Sequence, residues 1–329
     1  MKNYILAADI GGTKTLLQLT DESGKLLSEQ EYISQNFSGF DLVLAEFLGE
    51  NKIKEQHIAS ACFAVAGPVT GRDATVTNLP WQLNADQLEQ QFNITYVHLC
   101  NDFEAVGYGI EALADDEIIT LQVGEPIECA PRAVIGAGTG LGQALLLPQS
   151  NGWQVVATEG GHVDFAPTTR LQISLLEHMM DRFGHVSYER LVSGIGLVTI
   201  YEFLRAYKQC DEPEILRQAM INGDPASEIS QFALEHPNSF ASEALDLFVQ
   251  IYGSQAGNLA LLSIPRAGLY IAGGIAAKNL SRFQNGLFLD AFAAKGKMRE
   301  LVEKIPVRLI LQAKVGLMGA QLLAQQAIE

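Results

Sequence analysis

The feature that most constrains this chain is a plan written twice: a buried strand, a glycine turn, a return strand, another turn and a third strand. The first copy opens with Tyr4–Ala8, a continuous apolar run of strand length that reads as buried on both faces. Asp9 stands at its end, Gly11 and Gly12 make the turn, and Leu16–Thr20 and Leu26–Ile33 complete the meander. The second copy runs through Arg132–Ala137, the turn Gly138–Gly142, Gln143–Pro148 and Trp153–Thr158. Glycine turns let bare N–H groups approach an anion, so each copy offers a phosphate-sized notch. One unit per half of the chain predicts a duplicated fold holding one ligand from two sides.

The rest of the chain alternates strand and helix patterns. Helices are expected from Phe40 to Leu48 with Ser38 as cap, after Asn84, over Phe103–Leu113, and from Thr169. Ser187 and Ser193 look like caps of two more, and 212–263 reads as mostly helical. Further strands are expected at Ile58–Ala66, Thr95–Cys100, Leu269–Ala272 and Val307–Leu311, with a last helix at Leu317–Ala327. The fold class is therefore α/β, with a mixed sheet flanked by helices in each half. A length of 329 residues favours two domains, and the acidic turn Asp115–Glu117 is a candidate edge.

A formal charge of −16 argues against nucleic acid and acidic membranes as partners, but leaves room for a nucleotide held by backbone N–H groups and a metal ion. Cys62, Cys100, Cys129 and Cys210 form no CxxC pair, a spacing that supports neither a zinc site nor a disulfide framework and fits a reducing cytoplasm. Asp9 interrupts the N-terminal apolar run too early for a signal peptide, and Pro265 and Arg266 break the most apolar later stretch.

Two nucleotide motifs are excluded. There is no GxxxxGK[ST], and in GAGTGLG Leu141 occupies the third-glycine position of a dinucleotide fingerprint, with a strand following the turn. Asp9 and Asp102 each follow a strand, where such residues often serve only as caps or turn formers. Functionally, one carboxylate could hold magnesium through water and the other take a proton from an attacking hydroxyl. Phosphoryl transfer needs little beyond in-line placement, charge neutralisation and a base. Glu159, His162, Asp164 and Glu189 form a further set. Glu-x-x-His without a second helical His is a poor zinc signal, so hydrogen bonding to vicinal sugar hydroxyls is the better reading.

Taken together, DIGGT (Asp9–Thr13), TNLPW (Thr77–Trp81), NDF (Asn101–Phe103), GAGTGLG (Gly136–Gly142), EGGHVDFAP (Glu159–Pro167), GHVSYERLVSG (Gly184–Gly194) and IAGGI (Ile271–Ile275) closely resemble the bacterial ATP-dependent glucokinase family. That resemblance implies the hexokinase and actin-like ATPase superfold: two RNase-H-like α/β domains with an interdomain cleft, here 1–112 plus 315–329 and 113–314. It implies Asp102 as general base on the glucose 6-hydroxyl. Asn101, Glu159, His162 and Glu189 would bind the sugar, with Asn78 in a motif near that pocket. Ala8, Asp9, Ile10, Gly11, Gly12 and Thr13 would face the phosphates of ATP from one domain and Gly138, Thr139 and Gly140 from the other. Gly273 and Gly274 would lie against adenosine, and Asp9 near Mg2+. A cytoplasmic homodimer is what the resemblance suggests. The alternatives are a kinase for another hexose or an amino sugar, and a non-catalytic sugar sensor. Two departures stand out: Lys14 where Asn is expected, and Ile195 in place of a usual Pro.

Overall fold

A computed structural model describes residues 4–52 and 58–328. In chain order the first elements are β1 (Tyr4–Ile10), β2 (Lys14–Asp21), β3 (Leu26–Ile33), α1 (Phe40–Glu50), β4 (Ile58–Val65), β5 (Val69–Thr70), β6 (Asp73–Thr75), β7 (Gln82–Asn84), α2 (Ala85–Phe92), β8 (Val97–Asn101) and α3 (Asp102–Gly109). Next come β9 (Ile118–Gln122), β10 (Arg132–Ala137), β11 (Leu141–Gln149), β12 (Gly152–Thr158), α4 (Arg170–Phe183), α5 (Gly194–Lys208), α6 (Glu214–Asn222), α7 (Pro225–Glu235) and α8 (Phe240–Ser263). The chain closes with β13 (Gly268–Ala272), α9 (Gly274–Lys278), α10 (Leu280–Gln284), α11 (Leu287–Ala293), α12 (Arg299–Glu303), β14 (Val307–Ile310) and α13 (Val315–Gln326). Two compact units result: 1–115 with 155–157 and 312–329, and 116–154 with 158–311.

The first unit holds a five-stranded sheet in the order β3-β2-β1-β4-β8, with a small three-stranded sheet β5-β6-β7 beside it. Every position of β1 except Asp9 is apolar because both faces of the strand are covered. Tyr4, Leu6, Ala8 and Ile10 pack in the layer of Phe40, Val43, Leu44 and Phe47 from α1. Ile5 and Ala7 pack on the other face with Ala105 of α3 and Leu317, Ala320 and Ala324 of α13. Alternation of side chains along a strand makes this division automatic.

The second unit repeats the meander in a six-stranded sheet, β12-β11-β10-β13-β14-β9. Its core is organised on α8, whose Tyr252 meets Phe248, Phe283 and Phe288 edge-on. The Tyr252 hydroxyl accepts the Ala137 N–H at 3.1 Å and donates to the Ile135 carbonyl at 3.2 Å, fixing the end of β10. Full burial of that phenol raises its pKa.

Several local expectations change. Asp9 lies within β1, paired with Leu16 and Ala64, instead of past its end. Gly39, in extended backbone, occupies the N-cap of α1, and Ser38 does not cap it. Ser187 caps nothing; it is buried and bridges to Asp164. Asn84, Thr169 and Ser193 do cap, accepting from Gln87, Gln172 and Gly196 N–H at 2.9, 3.2 and 3.1 Å. Edge strand β9 and the small sheet had no clear sequence signal.

Candidate functional site

In the first unit, three parallel strands bring their carboxyl ends into line. Ile10 of β1 is level with Val65 of β4, and Val65 with Asn101 of β8. The Gly11 turn and the Asn101–Asp102 step therefore leave the same sheet edge, where ligands of open α/β sheets bind. Neither Gly11 nor Gly12 has a positive φ. They are needed for closeness: a Cβ on Gly12 would lie 3.2 Å from the Thr77 carbonyl and 3.6 Å from Asn78 Cβ, so the loop carrying Asn78 borders the turn. Asn78 itself holds a positive φ of 67°, a conformation Asn tolerates better than most residues.

Asn101 is the N-cap of α3, its Oδ1 accepting the Phe103 N–H at 2.9 Å while Nδ2 donates to the Gly67 carbonyl at 3.2 Å. Glu104 reaches back to accept the Asn101 N–H, and its pKa is raised by burial despite that bond. This reciprocal box fixes the first turn, where Asp102 stands. Asp9 is half-buried, and desolvation alone pushes its carboxyl up to about 6. A carboxylate in that setting suits a hydrated cation. Lys14 pairs with Glu31 at 2.7 Å, both well exposed.

In the second unit the turn after β10 closes with Gly138 N–H donating to the Gly140 carbonyl at 2.9 Å, and Gly194 N–H donates to the Gly138 carbonyl at 2.9 Å. A Cβ on Gly138 or on Gly274 would meet nothing within 4 Å, whereas one on Gly140 would lie 2.6 Å from Glu189 Oε2. Gly273 (φ 88°) passes so close to Ala137 that a Cβ would be 2.3 Å from its carbonyl oxygen. Gly138, Thr139 and Gly274 line a cavity of about 460 Å³ completed by Gly194, Ile195, Ser227, Ser230, Gln231, Leu234, Lys278 and Asn279, among others. That volume suits a nucleoside-sized ligand. Sequence reading missed the residues contributed by α7, although Ser227, Ser230, Gln231 and Leu234 stand at i, i+3, i+4 and i+7, the signature of one helical face.

Glu159, His162 and Glu189 converge in the same unit. His162 Nε2 is 3.7 Å from Glu159 Oε2, and its Nδ1 is 3.8 Å from Glu189 Oε1. Glu189 also reaches the glycine turn, its Oε2 accepting the Leu141 N–H at 3.0 Å. Asp164, read with this set from sequence, pairs with His185 at 2.8 Å. Beneath the cluster runs a polar chain. Lys295 Nζ donates to Asn258 Oδ1 at 2.7 Å and to the Ser254 carbonyl at 2.8 Å. Asn258 Nδ2 donates to the Tyr188 hydroxyl and to Gln255 Oε1, both at 3.1 Å, and Gln255 Nε2 to the Gly160 carbonyl at 3.4 Å. Tyr188 and Gly160 adjoin Glu189 and Glu159 in sequence. Replacing Lys295 by Met leaves Asn258 Oδ1 without its donor and is expected to cost about 1–3 kcal/mol in chemical unfolding.

The family model described as Glucokinase matches residues 6–327. A glucokinase of Trichormus variabilis is 45% identical over 97% of this chain and 98% of its own length. Among solved structures, a glucokinase from an Antarctic psychrotroph superposes with a TM-score of 0.80 at 29% identity, covering 98% of this chain and 99% of that one. A Balamuthia mandrillaris glucokinase in complex with glucose gives a TM-score of 0.83 at 24% identity, covering 98% and 94%, a likeness of fold.

Proposed function

This chain belongs to the glucokinase family and is an ATP-dependent glucose kinase; we propose that it transfers the ATP γ-phosphoryl group to the 6-hydroxyl of D-glucose with Asp102 as general base. The observation that carries the residue assignment is Glu189. One of its carboxylate oxygens is bonded to the Gly138–Gly142 turn and the other faces His162, so a single side chain ties the Glu159–His162 cluster to the glycine turn, which supports reading them as one site.

In this reading Glu159, His162 and Glu189 hold the sugar hydroxyls, with Asn101 and Asn78 as further partners from the first unit. Such groups reject analogues lacking a hydroxyl, because their own hydrogen bonds would go unmade. Backbone N–H groups of Ala8–Thr13 and of Gly138, Thr139 and Gly140 receive phosphate oxygens. Gly273 and Gly274 leave room for adenosine beside the α7 face. Mg2+, when bound, neutralises charge on the triphosphate, and Asp9 would hold it through water. Asp102 takes the 6-hydroxyl proton as that oxygen attacks phosphorus, and the proton remains on its carboxyl until product leaves.

The proposal includes the cytoplasm as location and a homodimer as assembly, the latter on family resemblance. The charge of −16 supports the exclusion of nucleic acid and anionic membrane as partners. Among the described residues no helix is long and apolar enough to cross a membrane. Purified protein with Mg-ATP and glucose should yield glucose 6-phosphate. A panel of hexoses and amino sugars followed by ADP release should rank glucose first; a higher kcat/KM for another sugar would replace it as substrate, and sugar binding without ADP release would point to a sensor.

Asp9 gives a test in protein freed of nucleotide and metal. Its folded pKa of about 6 lies above the ordinary 3.8, so its contribution to stability is full below about pH 4 and lost as pH rises through about 6. Asp9→Asn removes the desolvated charge and should raise stability near pH 8 by up to ~3 kcal/mol, the equivalent of about two pK units, while slowing phosphoryl transfer. Thermal melts of both proteins across pH should converge toward pH 4; parallel curves would refute the burial argument.

A further inference from the structure

The four cysteines show no metal-binding spacing, yet the parallel pairing of β4 with β8 gathers two of them around a histidine. Cys62 and His98 are direct partners across the two strands, and Cys100 lies two residues further along β8, on the same face as His98. Cys62 Sγ and Cys100 Sγ are 3.7 Å apart, and one ligand atom from each of the three residues lies within 4.8 Å of the others. We propose that Cys62, His98 and Cys100 form a binding site for one thiophilic cation of the Zn2+ or Cd2+ class, which ties β4 to β8.

Geometry is the first argument. Two thiolates on tetrahedral zinc at about 2.3 Å stand about 3.8 Å apart, close to the separation already present here. With the imidazole nitrogen at its bonding distance of about 2.0–2.1 Å it stands about 3.6 Å from each sulfur, so from a spread of at most 4.8 Å the ring closes in by about 1 Å at most, a movement open to a half-buried side chain. Charge is the second. Both cysteines are buried among Ile5, Ala7, Ala64 and Leu317, where an isolated ion would be costly. A divalent cation bound by two thiolates and a neutral imidazole carries no net charge. Binding converts two thiols into two metal–sulfur bonds and releases two protons to solvent. Ligand softness is the third: thiolate and imidazole donors select zinc-like ions, whereas Mg2+ prefers oxygen. His98 is only half-buried and gives the ion a way in, and the open fourth position falls to water. The site stands on these three side chains alone, so its failure would leave the kinase assignment untouched.

The test uses the full chain with Cys129→Ser and Cys210→Ser, which removes the two cysteines that are not buried. Loaded with Cd2+ or Zn2+ under a phosphine reductant and freed of excess ion, it should retain one ion per chain by elemental analysis. Cd2+ should add a thiolate charge-transfer absorbance, and the melting temperature should rise. His98→Gln, a mild change at a half-buried position, should weaken binding by at least about tenfold. Cys62→Ala should abolish the absorbance. Retention unchanged in either variant, or no retained ion, overturns the proposal. So does a Cys62–Cys100 disulfide that forms readily in air while metal is refused, which would make the pair a redox couple.

Discussion

Asp102→Asn is expected to lower turnover by about 10²–10⁴, the usual contribution of a general base, with the KM for glucose changed by no more than a few-fold. The substitution is isosteric and keeps the Oδ1 that accepts the Phe103 N–H at 2.9 Å, so the start of α3 survives. Asn101 continues to cap the helix and Glu104 to close the box. What disappears is the ability to accept the hydroxyl proton. Initial rates with Mg-ATP and varied glucose separate the two parameters. Turnover within a few-fold of the parent protein would remove Asp102 from the mechanism.

The second large effect concerns the helix that carries this base. Where α3 and α13 cross, a Cβ on Gly319 would lie 1.8 Å from the Ala105 carbonyl oxygen and 2.7 Å from Gly109 N. One on Gly109 would lie 2.0 Å from the Val315 carbonyl oxygen. The obstacles are backbone atoms of packed helices and cannot turn aside as a flexible side chain would. Gly319→Ala must therefore separate the helices. The expected cost is about 3 kcal/mol or more, at the upper end of overpacking effects. Thermal or urea unfolding should show the loss, with a melting temperature lower by at least about 4 °C. Turnover should fall as well, since α3 loses its seat. Parent-like stability would mean that the crossing is looser than described.

Much of this architecture was legible because its signals are local. The double meander could be read from apolar runs closed by glycines, and Asn84 and Thr169 declared themselves by the glutamine three places on, whereas Ser193 was legible from its residue type alone. The alignment of Gly11 and Asn101 at one sheet edge follows from parallel pairing, a consequence of alternating strands and helices. Ser38 and Ser187 misled for a physical reason: a serine near a helix start is a cap only if the backbone turns there, and burial or a neighbouring glycine decides otherwise. The α7 face of the cavity was written in the sequence as a polar stripe but had no partner motif to give it meaning. Cys62, His98 and Cys100 were out of reach, because 36 residues separate Cys62 from its lateral partner and only strand register joins them.

The place of α13 has a consequence for how the protein is made. The apolar layer of Ile5, Ala7, Ala64 and Ala105 is roofed by Leu317, Ala320 and Ala324, which leave the ribosome long after the strands they cover. Until they emerge, the nascent sheet of the first unit must wait with one greasy side uncovered while the whole second unit is made, at about 5–20 residues per second. Proteolysis of nascent chains arrested before α13 should find that portion susceptible, and holdase chaperones should dwell on it.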